Sequence, residues 1–247
     1  MRALRILLIL VVILGGLFVI ADRVAVHFAQ NEAADKLKTT ENLATTPDVS
    51  IKGFPFLTQV LSGELDDVEV GIKDYDATTG NGSEKIRIDD LNASMKGVTF
   101  SGSFSSATAA DATGTALITY DELLKTAKAQ PTDVAPGVTA RVIGLSDGGN
   151  GKIKVAVKVE APALGIKLPN PVYVLSSVTA QGNTVRVHAD NLPELAGMEV
   201  AGSRIRTITD FQQRIDQLPG GIKLDKVQAA KDGVEITVKG SDVRLAG

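Results

Sequence analysis

Apolar positions along this chain recur with three different periods, and each period predicts a different kind of element. From Ile6 to Ala21 they are continuous, preceded by Met1-Arg-Ala-Leu-Arg5 and followed by Asp22-Arg23. A basic stub before an apolar run predicts an export leader. Its length lies between a signal-peptide core and the ~20 residues of an ideal membrane span. Two readings therefore stand for residues 1–21: an uncleaved N-terminal signal anchor, or a signal peptide cut after Val19-Ile20-Ala21. With either, Arg2 and Arg5 hold the N-terminus inside, so the body is expected outside the cytoplasm, at the cell membrane or in the envelope.

From residue 22 to about 42 the period becomes helical. Val26, Ala29, Ala33 and Leu37 share a stripe, Asn31, Glu32, Asp35, Lys36 and Lys38 fill the rest, and Thr45-Thr46-Pro47 ends it. Beyond Pro47 the period is mostly two. Val68, Val70 and Ile72 alternate with charged neighbours. Ile86 and Ile88 give way to Leu91, Ala93 and Met95 in the opposite parity, which predicts a bulge near Asp89-Asp90. Ala112 to Tyr120, Ile153 to Val159, Val185 to Ala189 and Val234 to Val238 continue the pattern. Asp147–Gly151, Gln181–Asn183 and Lys231–Gly233 read as hairpin loops. One-sided alternation of this kind predicts antiparallel strands.

Two helices interrupt the strands. Thr119-Tyr-Asp-Glu122 resembles a capping box and opens a short helix to about Ala129. Ile208, Phe211, Ile215 and Leu218 make an apolar stripe on a helix from about Ser203, stopped by Pro219 and expected to cover the sheet. Gln130 to Pro136, with two prolines, is the one candidate linker. The fold class is α+β: a large antiparallel sheet with a few amphipathic helices, residues 22–247 forming a single domain.

Composition narrows the chemistry. Apart from Arg2 and Arg5, the chain holds 24 basic and 29 acidic residues, which argues against a nucleic-acid partner. There is no Cys, so disulfides, thiolate metal sites, Cys nucleophiles and a lipoprotein anchor are excluded. Two His residues cannot build a three-histidine metal centre, and no metal or cofactor is expected. No Gly-x-Ser-x-Gly elbow accompanies the serines. Strand parity puts His188 on a polar face. Asp66-Asp67 and Asp89-Asp90 point to opposite sides of their strands and make no dyad. Asp147-Gly-Gly-Asn-Gly-Lys152 lacks Walker spacing and reads as a turn. No catalytic residue is assigned, and the chain reads as no enzyme.

One segment stands apart. Gly53-Phe-Pro-Phe-Leu-Thr-Gln-Val-Leu-Ser-Gly63 places two of the seven Phe residues beside a Pro that restrains the backbone. Phe54, Phe56, Leu57, Val60 and Leu61 either plug a buried corner of the sheet or form a stiff apolar lip where a lipid enters. With Ile208, Phe211 and Ile215 they make the candidate lipid-binding set.

The block Gly53-Phe-Pro-Phe-Leu-Thr-Gln-Val-Leu-Ser-Gly-Glu-Leu65, after a leader and helix and before Thr119-Tyr-Asp-Glu-Leu123, resembles the LmeA-like phospholipid-binding proteins of actinobacterial cell envelopes. The resemblance implies a fold similar to the tubular lipid-binding superfamily, a curved antiparallel sheet wrapped around helices with an apolar cavity. It also implies a non-enzymatic role in envelope lipid or lipoglycan metabolism, with phospholipid and the cell membrane as partners. A solidly packed structural or assembly module with envelope protein partners is the alternative.

Overall fold

The fold is taken from a computed structural model that describes residues 2–78, 85–101, 106–126, 131–161, 166–167, 170–191, 206, 209–214 and 222–246. Leader and following helix are one element, α1 (Arg2–Thr40). It is long and apolar enough to cross a membrane. Every residue from Arg2 to Ala21 is exposed, so this half contributes nothing to a core. The other half docks on the edge of a sheet through Asp22, Val26 and Ala34. The stripe is thus rotated from the expected one: Ala34 is buried and Ala33 exposed, because the contact follows the i, i+4 row from Asp22 through Gln30.

The expected single sheet is two, both antiparallel. The first runs β1 (Asp48–Lys52), β2 (Glu64–Thr78), β3 (Lys85–Phe100), β4 (Ala107–Thr119), β13 (Gly233–Ala246), β12 (Ile222–Ala229). The second runs β11 (Phe211–Arg214), β10 (Thr184–Asn191), β9 (Val172–Gln181), β7 (Lys152–Ala161), β6 (Val138–Gly149), β5 (Thr132–Ala135), with β8 (Ile166–Lys167) beside β7. One of them curls into a half-barrel. Two short helices complete the fold, α2 (Phe56–Ser62) and α3 (Tyr120–Thr126).

The hairpin expectations hold. Asn150 and Gly151 both have positive φ between β6 and β7, and Gly182 does so between β9 and β10. The capping-box helix also forms, as α3, although Glu122 pairs with Lys125 and accepts from the Arg87 N–H.

Three expectations are corrected. Gln130–Pro136 is no linker: its prolines flank β5 and leave Val134 fully buried. Phe211–Arg214 are not helical but form β11, in register with β10 from Val187↔Phe211 to Thr184↔Arg214. Pairing here satisfies an edge that β10 would otherwise leave open, and it overrides the helical spacing of the apolar residues. Ile208, Ile215 and Leu218 lie outside the described residues. Near Asp89 the parity does reverse, but without a bulge. Asp74, at φ 53°, and Asp89 drop out of the pairing together, and the β2–β3 register stays constant across them.

The main core joins the inner face of the second sheet to α3, β12 and β13. Ile153, Val155, Val157, Val174, Val185 and Val187 meet Tyr120, Leu224, Val227 and Val234 there. The Tyr120 hydroxyl donates to the Ala230 carbonyl at 2.8 Å. Burial, with the Asp147 and Asp232 charges, pushes its pKa up to about 12. This closed core should respond to truncation differently from the half-open first sheet. Val174→Ala is expected to cost about 2 kcal/mol and Val70→Ala less than about 1 kcal/mol, read from urea midpoints of the full chain in detergent.

Candidate functional site

The corner between β1 and β2 is built around Gly53. With φ at 93°, a Cβ there would lie 2.5 Å from both Asp66 Oδ2 and Gln59 Nε2, so only glycine fits. The Phe54–Pro55 peptide is cis, and α2 begins at Phe56. Gln59 is buried and ties the corner together: its Oε1 accepts from the Asp66 N–H at 2.8 Å and its Nε2 donates to the Lys52 carbonyl at 3.4 Å. Gly63, at φ 78°, ends α2 as a left-handed cap.

The two Phe residues take opposite parts. Phe56 is only 7% exposed and is core, whereas Phe54 is 57% exposed, its ring 5.2 Å from the Arg23 guanidinium. Leu57 and Val60 are half-buried, and Leu61 is 87% exposed. Phe56 is thus buried at the start of α2, while Phe54 just before the helix and Leu61 near its end are exposed. Ile208 and Ile215 lie outside the described residues, and Phe211 belongs to the far edge of the other sheet. The structure brings Phe54, Phe56, Leu57, Val60 and Leu61 together and does not join Phe211 to them.

Sequence reasoning missed the group that holds this corner to the leader. Asp22 has no exposed surface. Its Oδ1 accepts from the Leu57 N–H at 2.8 Å and its Oδ2 from Arg23 at 2.6 Å. A carboxylate is thus placed on the unpaired amides that open α2. No local signal marks this, since Asp22 and Leu57 are 35 positions apart.

The second feature is the apolar face of the first sheet, which only the register assembles. Val68, Val70 and Ile72 stand opposite Met95, Ala93 and Leu91. Those stand opposite Ala112, Gly114 and Ala116. The row continues through Gly240, Val238 and Ile236 to Leu224 and Val227. Near β3's end the face is closed by a small cluster around Val98, Ala109, Ala112 and Val243. Between that cluster and the main core Val70, Ile72, Leu91, Ala93 and Ala116 are only half-buried, and Ile236 and Val238, also half-buried, pack against the rim of the main core. The floor narrows to Ala93 and Gly114, where a Cβ at 114 would press within 2.9 Å of Val238. The opposite face is polar, with an open depression of about 310 Å³ lined by Asp48, Ser50, Glu69, Asn92, Ser94 and Thr113.

His188 is exposed, as its strand parity implied. Its Nδ1 lies 2.7 Å from Asp210 Oδ2 and its Nε2 3.1 Å from an Arg206 nitrogen. Asp210 Oδ1 also accepts from the Ala189 N–H, and Arg206 donates to the Ala189 carbonyl. The nitrogen that would serve a nucleophile instead faces a guanidinium, and the group fastens the chain before β11 to β10. Among the described residues no cluster of three or more His, Asp or Glu is placed to hold a metal ion.

A long apolar helix entering a sheet whose apolar face stays half open is the anatomy of a tubular lipid-binding protein. The family model for LmeA-like phospholipid-binding proteins matches residues 20–239 of the 247, and the chain belongs to that family. Comparison with curated proteins and with solved structures gave no match.

The corner separates its two aromatic rings cleanly. Phe56→Ala should cost about 3–5 kcal/mol. Phe54→Ala should stay within about 1 kcal/mol, the scale of an exposed cation–π contact. Denaturant melts of the two variants check this, and equal losses would overturn the assignment of faces.

Proposed function

We propose that this protein is a non-enzymatic phospholipid holder of the cell envelope, retained by its N-terminal helix with the body outside the cytoplasm. Acyl chains lie along the half-open face of the first sheet, over Val70, Ala93, Gly114 and Val238. The observation that carries the reading is this apolar ladder, continuous over five strands and half-buried at its centre. Each acyl methylene buried there contributes about 0.8 kcal/mol. A floor of Ala and Gly leaves the groove deepest at its middle. The role that follows is to receive, hold or pass on phospholipid for envelope lipid or lipoglycan metabolism. Retention of the anchor is supported by the unbroken helix through Asp22, with no turn at the candidate cleavage site.

The full chain, extracted from membranes and exchanged into lipid-free detergent, should carry phospholipid detectable by native mass spectrometry. Ala93→Phe should fill the groove, lowering bound lipid severalfold while changing stability by less than about 1 kcal/mol. A chain that binds no phospholipid, or an Ala93→Phe variant that fails to fold while Ala93→Val is also strongly destabilised, would mean the face is packed solid. The protein would then be an assembly module.

A further inference from the structure

The end of the first sheet that carries α2 gathers large apolar side chains on its surface. Outside α1, Phe54, Leu61, Ile143, Tyr173, Leu175 and Leu245 are the large apolar side chains exposed among the described residues. Phe54, Leu61 and Leu245 share one end. The Phe100 N–H donates to the Gly63 carbonyl, and the row Glu64–Thr99–Thr108–Arg244 crosses β2, β3, β4 and β13. Three strand spacings, about 14 Å, therefore separate Leu245 from α2. Arg23 and Arg244 are exposed at the same end.

What this end faces is fixed by Asp22. The apolar run ends at Ala21, and the next side chain is hydrogen-bonded to the first turn of α2. If the run lies in a bilayer, α2 cannot be farther from the bilayer surface than one side chain's reach. Val24 and Phe28, both exposed on α1, continue the apolar surface just past Asp22. Apolar tips flanked by arginines suit the boundary between acyl chains and phosphate headgroups, which is ~5–10 Å deep for an interfacial element.

We propose that Phe54, Leu61 and Leu245 form a membrane-docking foot. It presses the α2 end of the sheet into the leaflet from which the chain's own helix emerges, with Arg23 and Arg244 at the phosphates. The foot rests on the lipid-holding reading above, because the half-open stretch of the apolar face begins just beyond the Val98, Ala109, Ala112 and Val243 cluster that closes this end. The occupant is the bilayer itself, and neither a second copy nor a protein partner is needed.

The absence of cysteine makes the test clean. Full chains carrying Leu61→Cys or Leu175→Cys, each labelled with an environment-sensitive dye, are reconstituted into phosphatidylglycerol–phosphatidylcholine vesicles. The dye at position 61 should shift to the blue and be quenched by brominated acyl chains. The dye at position 175, on the second sheet, should remain water-like. Phe54→Ser with Leu61→Asp should slow phospholipid transfer between vesicles roughly tenfold. A water-like signal at position 61 overturns the foot, as does transfer unaffected by the double substitution. Loss of phospholipid from the unsubstituted protein, with position 61 still quenched, would sink the lipid-holding reading and leave the foot standing.

Discussion

A carboxylate without exposed surface stays ionised only if donors surround it, and Asp22 meets its donors on both sides of a boundary. Arg23 comes from its own helix, and the Leu57 N–H comes from α2. The contact joins a helix of bilayer composition to a sheet of globular composition at one point. Val26 and Ala34 then hold the rest of α1 along β1, and Gln30 donates to the Ile51 carbonyl. The orientation of the first sheet relative to the N-terminal helix follows from that junction.

The sheet itself meets a second constraint. Strands of 15 and 16 residues, such as β2 and β3, twist too far to keep one face inward if strict alternation persists. Here the parity switches in step across neighbours. Asp66, Gly97, Ala110 and Asp242 drop out of pairing along one line, and Asp74 with Asp89 along another. Gly97, Asp74 and Asp242 take positive φ at these kinks. Because both partners skip together, register is kept and the apolar set returns to the same face. Leu65 and Val98 thus join Val68 and Met95 in one cluster although they are three positions away.

Much of this was legible in the chain. The long apolar N-terminal helix, the α+β class, the strand faces, the turns and the family of the Gly53–Leu65 block all follow from local pattern, since periodicity reports burial within an element. What local pattern could not report was pairing between elements. Phe211 sits at helical spacing with Ile208 and Ile215, but the open edge of β10 claims it for a strand. Gln130–Pro136 reads as a linker because prolines punctuate it, while the strand between them is decided by β6. Asp22 looks like a leader's polar boundary until α2 folds beside it. The Gly53 block was visible as unusual, yet the division of labour between Phe54 and Phe56 depends on a short helix that its sequence does not announce.

The two apolar surfaces of the protein differ in how they are closed. The main core is lined largely by β-branched side chains from facing elements, buried against one another. The face of the first sheet has Ala and Gly at its centre and larger side chains at its flanks, and that centre stays half-buried. A surface of that shape is costly to leave in water, because its apolar area is contiguous. Flexible chains that conform to such a surface would relieve that cost, and acyl chains need no fixed complement. The same small residues that deny this sheet a solid core are therefore what suits it to a variable, fluid occupant.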